Sequence, residues 1–174
     1  MLGMRIKKIM AGAFVVLMGL AGLNAATAEP LPSPSERPIL TISGKINVTN
    51  IGGTAQFDRA MLEAIGMVTI ETTGPWYEGT AKFEGVPFDK LMKRVGASGE
   101  RVDVVALNDY SSEIPMKDFA NYNVILAIKR NGEYMPVRDK GPLFVIYPFD
   151  SNPELKNQTF YGRSVWQVSR LIVK

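Results

Sequence analysis

Two short stretches of this chain bring together residue types able to bind a ligand or do chemistry. Asn108-Asp109-Tyr110 follows the apolar run 102–107, so an amide, a carboxylate and a phenol stand together where a strand-length segment ends. Open sheets present binding groups at such ends, although an Asx turn that only caps the strand uses the same residues. Arg138-Asp139-Lys140-Gly141-Pro142 sets three charges before a second apolar run, 143–147. That pattern suits a surface turn, or the rim of an anion pocket where Lys and Arg beside glycine amides meet carboxylate or phosphate. Trp76, Tyr77, Tyr110, Tyr147, Tyr161 and Trp166 add rings with an apolar body and a polar handle, fit for core packing or for the walls of a partly wet pocket.

What the chain lacks narrows the chemistry. Its 174 residues include no Cys and no His. Disulfides, thiolate nucleophiles, Fe–S ligation, zinc knuckles and Ser–His or Cys–His pairs are therefore excluded. Carboxylates, Lys, Arg, Tyr, hydroxyls or a bound cofactor remain. Nucleotide-binding glycine fingerprints and the G-x-S-x-G and S-x-x-K hydrolase patterns are absent. Asp150-x-Asn152-x-Glu154 begins like a calcium loop, but Leu155 and Tyr161 stand where such a loop needs Gly and a bidentate Glu, so a solvated turn is expected. Asp109 and Asp139 are carboxylates near the presumed cleft, and no acid/base pair can be named from their spacing.

The elements that must hold these groups are short. Alternation and β-branched content predict strands at 39–44, 46–49, 67–72, 80–83, 102–107, 123–129, 133–137, 143–147 and 164–173. Asn131-Gly132 is a hairpin signal. Asp58 is placed to cap a helix through Ile65, with Phe57 and Leu62 forming a hydrophobic staple, and 89–95 reads as a second helix stopped at Gly96. Strands outnumber helices in an irregular order. The expected class is α+β, with a mixed, β-rich sheet or barrel-like core and short helices.

Residues 1–28 contain Arg5, Lys7, Lys8 and no acid, then an apolar run from Ile9 to Leu23 and the A-x-A site Ala26-Thr27-Ala28. This reads as a cleaved secretory signal, too short to span a bilayer. Removing it takes away the whole net charge of +3 and leaves 17 basic and 17 acidic residues. A neutral mature chain has no electrostatic footing for nucleic acid. Residues 29–38, with four prolines, read as an extended linker, and 39–174 as one domain. The expected location is the periplasm or another exported compartment, with no membrane span after cleavage.

Phe83-Glu84-Gly85-Val86-Pro87-Phe88, Leu91-Met92, 104–110, Ile125-Leu126-Ala127, 131–135, Lys140-Gly141-Pro142-Leu143, Tyr147-Pro148 and Trp166-x-x-x-Arg170-Leu171 occur in an order and spacing that resemble one family. It is the oxidoreductase molybdopterin-binding domain, of the sulfite oxidase fold. The resemblance implies a mixed α+β domain and, in catalytically active members, a pterin-held molybdenum ligated by one Cys. In this chain Thr72-Thr73 falls where the family Cys belongs, with Thr73 at the lost ligand position. Asp139-Lys140-Gly141-Pro142-Leu143-Phe144 replaces a segment whose His and Arg help hold the cofactor, and Val165 stands at an expected Lys. A Thr hydroxyl cannot replace a soft thiolate.

The expectation is an exported, cofactor-free domain that binds a small, anionic ligand or a protein partner. Asn108, Asp109 and Tyr110 would line one wall, Lys140 and Arg163 would supply charge, and Trp76 and Trp166 the apolar sides. Two alternatives stand beside it. One is an oxidoreductase that keeps molybdopterin without a Cys ligand. The other is a structural accessory of a membrane sensor or redox system.

Overall fold

The computed structural model describes residues 30–174, so the signal segment lies outside the described residues. In chain order these residues form β1 (Leu40–Gly44), β2 (Ala55–Phe57), α1 (Arg59–Ala64), β3 (Val68–Thr73), β4 (Thr80–Pro87), α2 (Phe88–Arg94), β5 (Arg101–Ala106) and β6 (Ser111–Pro115). Then follow α3 (Met116–Tyr122), β7 (Ile125–Arg130), β8 (Glu133–Tyr134), β9 (Phe144–Ile146), α4 (Gln158–Arg163) and β10 (Val168–Val173). The fold is α+β. One sheet has the order β2-β1-β10-β5-β6, and the other runs β3-β4-β7-β8 with β9 also on β7. Neither sheet closes on itself, so the core is open and not barrel-like. No described helix is long and apolar enough to cross a membrane.

The first sheet is mixed. Its last strand in sequence, β10, sits at its centre, parallel to β1 and antiparallel to β5. β9 reads as an apolar run because Phe144, Val145 and Ile146 are all buried, whereas β5 buries Val102, Val104 and Ala106 on one face and, with Arg101 exposed and Asp103 half-buried, only Val105 on the other. In the second sheet β7 bulges at Ile128, opposite the Glu84–Gly85 step of β4. A Cβ at Gly85 would overlap the Leu126 carbonyl, which explains the glycine there.

The helix cap at Asp58 forms as expected. Its Oδ1 accepts from the Met61 amide at 2.9 Å, and Phe57 and Leu62 are both fully buried. The other carboxylate oxygen, Oδ2, accepts from the Ser35 amide at 2.8 Å, the Ser35 hydroxyl at 3.1 Å and the Glu36 amide at 3.1 Å. These hydrogen bonds hold the Asp58 carboxyl below its ordinary pKa, that from Met61 foremost, against the opposing effect of burial. The proline-rich stretch has no helix or strand, yet it lies against the domain: Leu31 belongs to the main core and the Asn50 amide donates to the Pro32 carbonyl at 2.8 Å.

Several local expectations are corrected. Residues 46–49 form no strand; the Asn47 and Val48 amides both donate to the Val95 carbonyl, and the partner of β1 is β2, beyond the Gly52-Gly53 turn. The C-terminal strand begins at Val168 and carries a bulge between Val168 and Arg170. The extra residue shifts the alternation, so Val168 shares the buried side with Leu171 and Val173 instead of opposing them. The segment after Asn131-Gly132 pairs only at Glu133–Tyr134 and then turns through a 3-10 stretch, Val137–Asp139. Strand β6 and helices α3 and α4 were not anticipated.

Candidate functional site

Three pieces of chain meet beyond the end of β5 and enclose a cavity of about 480 Å³. The β3–β4 loop brings Pro75 and Trp76. The β5–β6 turn brings Asn108 and Tyr110, above Ala106. The third wall is α4 with the residues that follow it: Gln158, Tyr161, Gly162, Ser164, Val165 and Trp166.

Local chemistry fixes each wall. Asn108 Oδ1 accepts from the Tyr110 amide at 3.1 Å, an Asx turn. The same turn has Asp109 in the left-handed region, φ 64°, which Asp tolerates. The Tyr110 hydroxyl donates to the Gly162 carbonyl at 3.4 Å and so joins the turn to α4. Helix α4 is capped by Asn157, whose Oδ1 accepts from the Thr159 and Phe160 amides at 2.9 and 3.4 Å. Trp76 is the aromatic hub. Its ring meets Phe144 edge-on at 5.4 Å, Tyr161 at 5.9 Å and Trp166 at 6.3 Å, and it packs on both hydrophobic clusters of the domain.

Trp76, Asn108, Tyr110 and Trp166 therefore converge on one cavity. Asp109, Lys140 and Arg163 do not line it. Asp109 receives Arg170 Nη2 at 2.6 Å on the exposed side of the turn. Lys140 stands at the rim, its ammonium 5.9 Å from the Trp166 ring centroid. Arg163 points to Asp118: Nη1 donates to Oδ2 at 2.8 Å, and the Tyr147 hydroxyl donates to the same oxygen at 2.9 Å. Asp118 and Tyr147 are buried, and burial, then the Asp118 charge, pushes the Tyr147 phenol above its ordinary pKa. Tyr77, also outside the cavity, packs on Phe83, and burial raises its phenol too.

Thr73 ends β3 with both its polar groups turned to Asp150. The amide donates to Oδ2 at 2.7 Å and the hydroxyl to Oδ1 at 2.6 Å. Lys156 reaches Oδ1 at 2.7 Å. The Lys156 contact, followed by the Thr73 hydroxyl, lowers the Asp150 pKa to about 2.

Residues 55–149, more than half of the chain, match the family model of the oxidoreductase molybdopterin-binding domain, and the chain belongs to that family. No curated protein matches it. The fold and the matched residues thus define a molybdopterin-binding domain by class. The residues present do not fit the molybdenum cofactor itself. The chain has no Cys to give a thiolate, and among the described residues no three His, Cys, Asp or Glu side chains are grouped to hold a metal. No charged residue lines the cavity, while Arg163 and Arg170 neutralise carboxylates instead of facing a phosphate.

Gln158, Gly162 and Ser164 join the site only through α4, for which the sequence offers one local sign, Asn157 ahead of Gln158-Thr159, since Asn favours the position before a first helical turn.

Proposed function

We propose that this member of the family is exported and works without molybdopterin, as a module that binds a small flat molecule against Trp76 and Trp166. The observation that carries the reading is a preformed cavity of about 480 Å³ with aromatic walls and polar edges from Asn108, Tyr110 and Gln158. Sites for small ligands have this size and this mix of apolar walls and few polar groups, at roughly 300–1,000 Å³. A ring would stack on one indole and meet the other edge-on, and the Asn108 and Gln158 amides would read its edge. Charge enters at one point only, Lys140, so the ligand carries at most one acidic group on the side facing that rim.

The only two Trp of the chain are both in this wall, so intrinsic fluorescence reports on the cavity directly. Neutral N-phenyl-1-naphthylamine and acidic 8-anilino-1-naphthalenesulfonate serve as probes. Both are expected to quench Trp emission saturably, and Trp166→Ala to weaken both by at least about tenfold, or roughly 1.4 kcal/mol. Lys140→Ala should weaken the acidic probe alone. Absence of saturable quenching by either probe would remove the ligand reading.

A second reading has one observation in its favour. Leu107, Tyr110 and Trp166 are exposed large apolar residues in the turn and strand leading to the cavity mouth, and exposed apolar surface marks contact sites. A periplasmic or membrane protein partner would cover them. Protein that shows no probe binding but is retained by detergent-solubilised membranes of its own host, and released by Leu107→Asp, would favour this reading.

A further inference from the structure

The proline-rich segment, α1 and α2 enclose a second groove on the molecule, of about 580 Å³. Its apolar surface comes from Met61 and Ile65, over the fully buried Phe57, with Leu31 and Pro32 closing one side. The opposite bank is one face of α2, where Lys90, Lys93 and Arg94 recur at helical spacing. Among the described residues no acidic side chain lines the groove, and neither Lys90 nor Lys93 has an ion-pair partner.

Solvated charge on a short amphipathic helix would explain the lysines alone. It does not explain why a trough persists beside them. The side formed by Leu31 and Pro32 is pinned at three places: Arg94 Nη2 donates to the Pro30 carbonyl at 3.1 Å, the Asn50 amide to the Pro32 carbonyl at 2.8 Å, and Ser35 and Glu36 to Asp58. The groove is thus held open before anything enters it, which lowers the ordering cost of binding.

We propose that this groove binds a single-chain acidic amphiphile, a long-chain carboxylate, with hydrocarbon over Met61 and Ile65 and the head group at Lys90 and Lys93. Cations on only one bank match a molecule with one charged end. A concave trough favours a separate chain over the surface of a bilayer, which meets convex, protruding residues. The site is independent of the Trp cavity.

The test titrates the chain from Glu29 to Lys174 with cis-parinarate and displaces it with dodecanoate or dodecanol. Saturable binding of one parinarate per chain is expected, with dodecanoate displacing it and dodecanol about tenfold weaker for want of the charged head. Lys90→Gln with Lys93→Gln should weaken parinarate about tenfold, and Ala64→Phe, which fills the groove from an exposed position, should remove binding without moving the melting temperature. No saturable binding, equal displacement by dodecanol, or full binding in Ala64→Phe would overturn the proposal. So would loss of binding in Trp166→Ala, which would move the ligand to the other cavity, or capture by phosphatidylglycerol vesicles without parinarate binding, which would make the surface a membrane contact.

Discussion

The Thr73 hydroxyl lies 2.6 Å from Asp150 Oδ1 while the Thr73 amide lies 2.7 Å from Oδ2, so one carboxylate takes up both hydrogen-bond donors of the residue. With Lys156 on the same carboxylate, that corner of the fold is closed by its own side chains.

This closure makes stability depend on acid. Asp150 titrates at about 2 in the fold against an ordinary value of 3.8. A depressed folded-state pKa stabilises fully above the unfolded value and is lost as pH falls. The contribution should be complete above pH 4 and decline between about pH 4 and 2. The pair is partly exposed, which holds it below about 1 kcal/mol. Asp150→Asn is expected to flatten the melting temperature over this interval and leave its slope elsewhere unchanged, as followed by circular dichroism.

Arg163 tests a different kind of charge. Asp118 is 3% exposed and depends on Arg163 and the Tyr147 hydroxyl. Arg163→Ala should cost about 2–3 kcal/mol in urea unfolding, less than the 3–5 of a wholly buried pair because the guanidinium is partly wet. Tyr147→Phe should cost about 1 kcal/mol. Probe binding per folded molecule should survive Arg163→Ala; its loss would return the guanidinium to the cavity.

The two indoles should separate in their effects. Trp166 is 41% exposed, so Trp166→Ala should change stability little while weakening probe binding. Trp76 touches Phe144, Phe149, Tyr161 and Trp166, so Trp76→Ala should destabilise by about 3 kcal/mol. Equal effects on stability would contradict this division.

Elemental analysis addresses the cofactor. Protein purified from an exporting host grown with excess molybdate is expected to carry molybdenum far below one atom per chain, and no pterin fluorescence after oxidation. Stoichiometric molybdenum would restore the oxidoreductase reading.

Much of the fold could be read from the chain where a local rule acts alone. Asp58 before the Met61-Leu62 turn, Asn131-Gly132 and the buried runs of β5 and β9 each carry their own signal. Other elements depend on distant partners. The polar Ser111–Pro115 becomes a strand because β5 offers it a ladder, and α4 has no buried residue and is tied down through Arg163 to Asp118, 45 residues away. The same distance explains the site. Aromatic residues and the Asn108 turn can be placed near a cleft from their types, but Asp109 points there only by its position in that turn and Arg163 only by its charge, and neither signal reveals the partner a side chain takes.

The central place of β10 governs when this molecule can exist. The last strand made joins the β1–β2 pair to β5 and β6. Until β10 docks, the first sheet is two separate ribbons with its core open to water. The first sheet is thus completed only when its central strand, last in the order of the fold, joins the two ribbons, whereas the second sheet needs no part of β10.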